Sequence, residues 1–127
     1  MYGQPSIAAR GFAEPEMQRI TGSPAEADLT PTQGIWKVQT RALELAGYLP
    51  GDELTADSSV VPRARDVVVA QILDHARGTA ETVLRVYEPP YLLTETTDER
   101  ARQKPQLVDN DRVAIWGVVV RLVRVRR

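Results

Sequence analysis

Two runs rich in β-branched residues limit what this chain can become. Asp66-Val67-Val68-Val69-Ala70-Gln71-Ile72-Leu73-Asp74 is apolar through its middle and bounded by acidic residues, the pattern of a strand buried on both faces. Val113 to Val125 is longer still, and Gly117 inside it predicts a bend at a bulge. Branching at Cβ restricts χ1 in a helix but packs well on a pleated sheet. Arg41 to Ala46 holds helix formers, yet Gly47 ends it after a turn or two. The chain therefore reads as a mainly β domain.

The remaining segments fit around those runs. Gly34-Ile35-Trp36-Lys37-Val38-Gln39 alternates apolar with polar or small residues, as a half-buried strand does, and Asp52 to Val61 predicts a short strand with a turn at Asp57-Ser58-Ser59. His75 to Thr79 reads as a hairpin turn. Thr82 to Tyr87 is then the partner strand, stopped by Glu88-Pro89-Pro90 because proline cannot donate to a ladder. Tyr91 to Thr94 restarts it. Thr96 to Lys104 is polar enough for a solvated loop, Gln106 to Val108 is a short strand, and Asp109-Asn110-Asp111 is a turn. Residues 1–33 carry Pro5, Pro15, Pro24 and Pro31, which predicts an extended arm ahead of a β domain spanning 34–127.

Composition narrows the chemistry. The 127 residues are 43% hydrophobic and 26% charged with a net charge of -1, which gives no electrostatic push toward nucleic acid or membrane. The absence of cysteine removes disulfides, thiolate catalysis and thiolate-bound metals. No apolar run is long enough to span a bilayer, so a cytoplasmic location is expected. The only lysines are Lys37 and Lys104, the only histidine is His75, and the serines are Ser6, Ser23, Ser58 and Ser59. Each of these reads more simply as a strand surface, loop or turn residue than as half of a catalytic pair. With one histidine and scattered carboxylates, neither a metal nor any other cofactor is expected.

The stretch Val38-Gln39-Thr40-Arg41-Ala42-Leu43-Glu44-Leu45-Ala46-Gly47-Tyr48-Leu49-Pro50-Gly51-Asp52 resembles the signature of the LexA-type repressor peptidases. That signature is a strand, then Gly-x-Ser-Met on a short turn, then an apolar-Gly-apolar step into Gly-Asp. Gly47, Gly51 and Asp52 match in register, while Ala42 stands at the serine position. The hairpin Val67 to Val86 and the segment Ile115-Trp116-Gly117-Val118-Val119 resemble the same family's Val-rich hairpin and closing strand. Arg10-Gly11-Phe12-Ala13 is similar to its cleavage loop without the Ala-Gly pair that is cut. The resemblance spans about residues 35–124 and implies a bent β-sheet or barrel with one short helical turn, like the LexA and phage-repressor C-terminal domain.

The family's reaction needs a serine made nucleophilic by a lysine whose pKa burial has lowered. The lysine position here holds Leu84, and the adjacent Arg85 cannot act as the base because guanidinium stays protonated. Ala42 and Leu84 therefore imply a pseudo-peptidase. The resemblance then implies a non-catalytic oligomerisation domain of a phage-type transcriptional repressor, acting as a homodimer or higher oligomer. DNA would be read by a separate N-terminal domain, and an antirepressor protein is a further expected partner. Val118, Val120, Leu122, Val123 and Val125 are the interface candidates, since such strands pair across two-fold axes. Two alternatives stay open: a self-cleaving domain in which Ala42 was engineered, and a nucleic-acid module using Arg121, Arg124, Arg126 and Arg127. The simpler reading of those arginines, set against nucleic-acid binding, is that they keep a long edge strand soluble.

Overall fold

The computed structural model describes residues 15–124. The architecture is mainly β, and among the described residues helix is confined to two short 3-10 turns. The strands are β1 (Met17–Ile20), β2 (Gln33–Val38), β3 (Glu53–Asp57), β4 (Val67–Asp74), β5 (Thr79–Glu88), β6 (Tyr91–Leu93), β7 (Gln106–Leu107) and β8 (Val113–Val123). They form one antiparallel sheet in the order β1-β2-β3-β8-β4-β5-β6-β7. The two β-branched runs are its centre, paired directly as β4 and β8.

The strand expected to be an edge is internal. β8 shares its length between two neighbours: Val118 to Val123 pairs with β3, and Val113 to Val118 pairs with β4. The register slips twice along it. Val69 faces Gly117 and Ala70 faces Ile115, which leaves Trp116 unmatched; Thr55 faces Arg121 and Ala56 faces Val119, which leaves Val120 unmatched. Bulges sharpen local twist, so one strand can serve two differently oriented half-sheets. The bend near Gly117 has a steric cause as well. A Cβ there would lie 2.9 Å from the Asp57 carbonyl carbon and oxygen and 3.0 Å from the Ser58 nitrogen. Only glycine fits.

The two faces of the sheet bury separate cores. One holds Met17, Trp36, Val38, Leu43, Leu54, Ala56, Val69, Leu84 and Val86, with Trp116 and Val119 packed against it. Trp36 and Trp116 meet edge-on at 4.6 Å, and the Arg19 guanidinium lies 4.5 Å above Trp36. The other face buries Val68, Ala70, Val83, Leu92, Val113 and Val118. Alternation along β4 and β5 sorts the side chains: Val69 and Leu84 go to the first core, and Val68, Ala70 and Val83 to the second.

The arm expected over 1–33 is structured across its described part. β1 pairs with β2 as an edge strand, and Met17 enters the core. A 3-10 turn follows at Pro24–Asp28, where Ser23 accepts from the Ala25 amide at 3.2 Å. Proline is tolerated there because the first residue of a helical turn has no amide partner to lose. Prolines at 15, 24 and 31 thus flank elements instead of interrupting them. The cleavage-loop-like segment Arg10 to Ala13 lies outside the described residues, as do Val125, Arg126 and Arg127. Opposite β1, the sheet curls until β5 touches it: Arg85 donates to both Glu16 carboxylate oxygens, at 2.6 and 2.9 Å. Among the described residues, no helix is long and apolar enough to cross a membrane.

Candidate functional site

The segment from Thr40 to Asp52 is a rigid turn set across the end of β2. Ala42 donates its amide to Thr40 Oγ1 at 3.0 Å, its carbonyl accepts from the Glu95 amide at 2.8 Å, and the Leu45 amide returns to the Glu95 carbonyl at 3.0 Å. Glu44 fastens the same turn from outside. Its Oε1 accepts from the Thr97 hydroxyl at 2.6 Å, the Thr97 amide at 2.8 Å and the Thr96 hydroxyl at 3.0 Å. The Thr97 hydroxyl, then the Thr97 amide and the Thr96 hydroxyl, hold the Glu44 carboxyl down at about 2, with Arg41 adding a smaller pull. The loop expected to be solvated thus begins with a buried residue, Thr96.

Gly47 and Gly51 both sit at positive φ, +94° and +96°, a region open to glycine at no steric cost. They shape a path that brings Asp52 back beside β2, where Val38 donates to the Asp52 carbonyl and Gly51 donates to the Val38 carbonyl, each at 2.8 Å. The Asp52 side chain is only 3% exposed. It accepts from the Leu49 amide at 2.9 Å and from Arg124 through both carboxylate oxygens, at 2.9 Å each. The three motif residues Gly47, Gly51 and Asp52 are therefore one constructed corner.

The positions that the resemblance assigns to a serine and a lysine are buried. Ala42 and Leu84 are both fully buried, and Leu84 packs in the first core with Leu43, Trp36 and Val69. No buried member of that core is ionisable. Arg85 projects to the other face, where it is 2% exposed and holds Glu16. The remaining candidates are spent elsewhere. Ser58 Oγ donates to the Thr32 carbonyl, and Ser59 Oγ donates to Asp57. Lys37 and Lys104 are exposed. His75 faces Asp111 at 3.1 Å, not its neighbour Asp74. Among the described residues, no group of three or more His, Asp or Glu side chains could hold a metal ion.

The interface candidates divide. Val118 is 5% exposed and belongs to the second core, so it is removed from the set. Its register position explains why: it is the one β8 residue paired with both β3 and β4. Beyond it, β4 no longer runs alongside, and Val120, Leu122 and Val123 are 49%, 38% and 43% exposed. A groove of about 490 Å³ continues from this half-edge across β3 and β2 to the 3-10 turn, with Leu29, Ile35, Val120 and Val123 in its lining. Val125 lies outside the described residues.

Sequence reasoning missed the two arginines that organise this region. Arg85 shares a strand face with Val83, and two-residue alternation was the available signal that it would be buried. Arg124 carried no such local signal. Compared with known proteins, the chain matches no family model and no curated protein sequence.

Proposed function

We propose that this chain is a catalytically silent domain of the LexA and phage-repressor C-terminal type, acting in the cytoplasm by self-association. The observation that carries the reading is the outer half of β8. It presents Val120, Leu122 and Val123 beside backbone that pairs with β3 on one side only. Such an edge is a template for another strand, and Arg121 is the single charged residue within its 119–123 stretch. The outermost strands β1 and β7 are only four and two residues long, the usual blunting of an edge.

Self-association of this domain would act through avidity. Two weak DNA-reading heads joined through it gain orders of magnitude in operator affinity by effective concentration. Relief of repression would come from a protein that shifts the oligomer, such as an antirepressor. Self-cleavage is not available to it, because an alanine and a leucine stand at the two proton-handling positions. The nucleic-acid alternative is weakened by Arg124, whose guanidinium is engaged by Asp52.

Sedimentation equilibrium of the chain from low to high micromolar concentration tests the reading. The wild type should associate, and Val120→Lys, which places a charge on the exposed edge, should weaken association at least tenfold. A wild type that stays monomeric throughout would end the proposal.

A further inference from the structure

The exposed half of β8 ends in a three-point anchor. Arg124 donates from Nε to Asp52 Oδ1 and from Nη2 to Asp52 Oδ2, both at 2.9 Å, and from Nη2 to the Gly47 carbonyl at 2.7 Å. The two partners differ in burial: the Asp52 side chain is 3% exposed and that of Arg124 is 54% exposed. The corner that receives the guanidinium is itself tied to β2 by the Val38–Asp52 and Gly51–Val38 bonds. The strand that delivers it is held less firmly. Residues 119–123 have β3 as their only ladder neighbour, and the last rung is Glu53 opposite Val123. Val120 interrupts that short ladder with a bulge.

We propose that Arg124 is the positioning residue of the self-association edge, and that the Asp52–Arg124 fork couples the Gly47–Asp52 corner to the oligomer. This inference rests on the function proposed above. Backbone groups on an edge pair with a second strand only when they are already held extended, since every residue ordered on association adds an entropic cost. The fork supplies that order from outside the interface. Its chemistry is specific to arginine, because a planar guanidinium reaches both carboxylate oxygens and a carbonyl at once, whereas an ammonium is a point charge. The association edge therefore depends on the corner of the former nucleophile turn, although Asp52 itself is buried.

The test compares monomer–dimer constants of the full chain as wild type, Arg124→Gln, Asp52→Asn and the double variant, with hydrogen exchange at the amides of 119–123 followed in the monomer. Each single change should weaken dimerisation about tenfold and raise exchange at those amides. The double variant should be no weaker than either single one, as expected when both remove one contact. Arg124→Lys should fall between wild type and Arg124→Gln, and it serves as the readout if the glutamine variant does not fold. A dimer constant unchanged in Arg124→Lys and Asp52→Asn, with wild type associating normally, overturns this inference alone. A monomeric wild type overturns the function on which it rests. Effects of the two single changes that add in the double variant would show independent damage and also refute the coupling.

Discussion

Replacing Leu84 with lysine asks directly whether the centre of the first core is as dry as its packing shows. Leu84 is fully buried among Trp36, Val38, Leu43, Leu54, Val69 and Val86. An unfolded lysine titrates at about 10.4. Full burial lowers that by roughly 3 to 5 units, so the native amine would titrate at roughly 5.5 to 7.5. Each unit between the unfolded pKa and the working pH costs about 1.4 kcal/mol, which places the penalty at roughly 4 to 5 kcal/mol near pH 7. Domains have only about 5 to 15 kcal/mol to lose, so Leu84→Lys should be marginally folded there. The pH dependence has a defined sign. Above the native pKa the unfolded chain binds the extra proton, so stability rises with pH and is recovered as pH approaches 10.4. Urea unfolding followed by the fluorescence of Trp36 and Trp116 reads this out. The gap between variant and wild type should narrow by about 4 kcal/mol from pH 7 to pH 10. A gap independent of pH would mean that the amine reaches water, and the account of a dry core at Leu84 would be wrong.

Two further outcomes follow from the ion pairs and turns. Glu16→Ala leaves the Arg85 guanidinium, 2% exposed, with the Leu84 carbonyl as its remaining bonded acceptor. Urea denaturation should show a loss of about 2 to 4 kcal/mol, because a buried guanidinium loses its forked partner while the nearby Glu81 carboxylate offsets only part of its charge, and a loss under about 1 kcal/mol would show that Arg85 is hydrated. Glu44, Asp57 and Asp109 are held at about 2, below ordinary values of 4.5, 3.8 and 3.8. The first causes are the Thr97 hydroxyl, the Ser59 hydroxyl and the Val113 amide, respectively. Depressed carboxyl pKa values contribute stability above the unfolded pKa that is lost as pH falls through the folded one. The urea midpoint should therefore decline between about pH 4.5 and 2, less steeply in Thr97→Val. An equal slope in that variant would remove Glu44 from the account.

Much of the strand content was legible because it rests on local signals. The Val-rich runs became β4 and β8, and Gly117 marked the neighbourhood of a real bulge at Trp116. The acidic turn at Asp109-Asn110-Asp111 formed as expected, with Asp109 accepting from the amides of Asp111, Arg112 and Val113. Within the described part of the arm, β1 and the turn at Pro24 were not foreseen, because prolines were weighed as breakers of whatever contains them. Pro24 instead starts a turn, and the four-residue β1 fits before it without a proline in its ladder. The interface set was misread at Val118, because a β-branched residue looks the same from sequence whether its neighbour on the sheet is another strand or solvent.

What residue types and spacing determined alone was the mainly β class of the domain and the position of turns such as Asp109-Asn110-Asp111. Periodicity and side-chain sterics act over a few residues, so they can be read without knowing what lies opposite. Sheet order decided the rest. It set β8 between β3 and β4, sank Arg85 against Glu16 69 residues away, and brought Arg124 to Asp52 across 72 residues. A charged side chain has no preferred partner at such separations until the backbone has folded, because its burial and its counter-ion are properties of the assembled sheet.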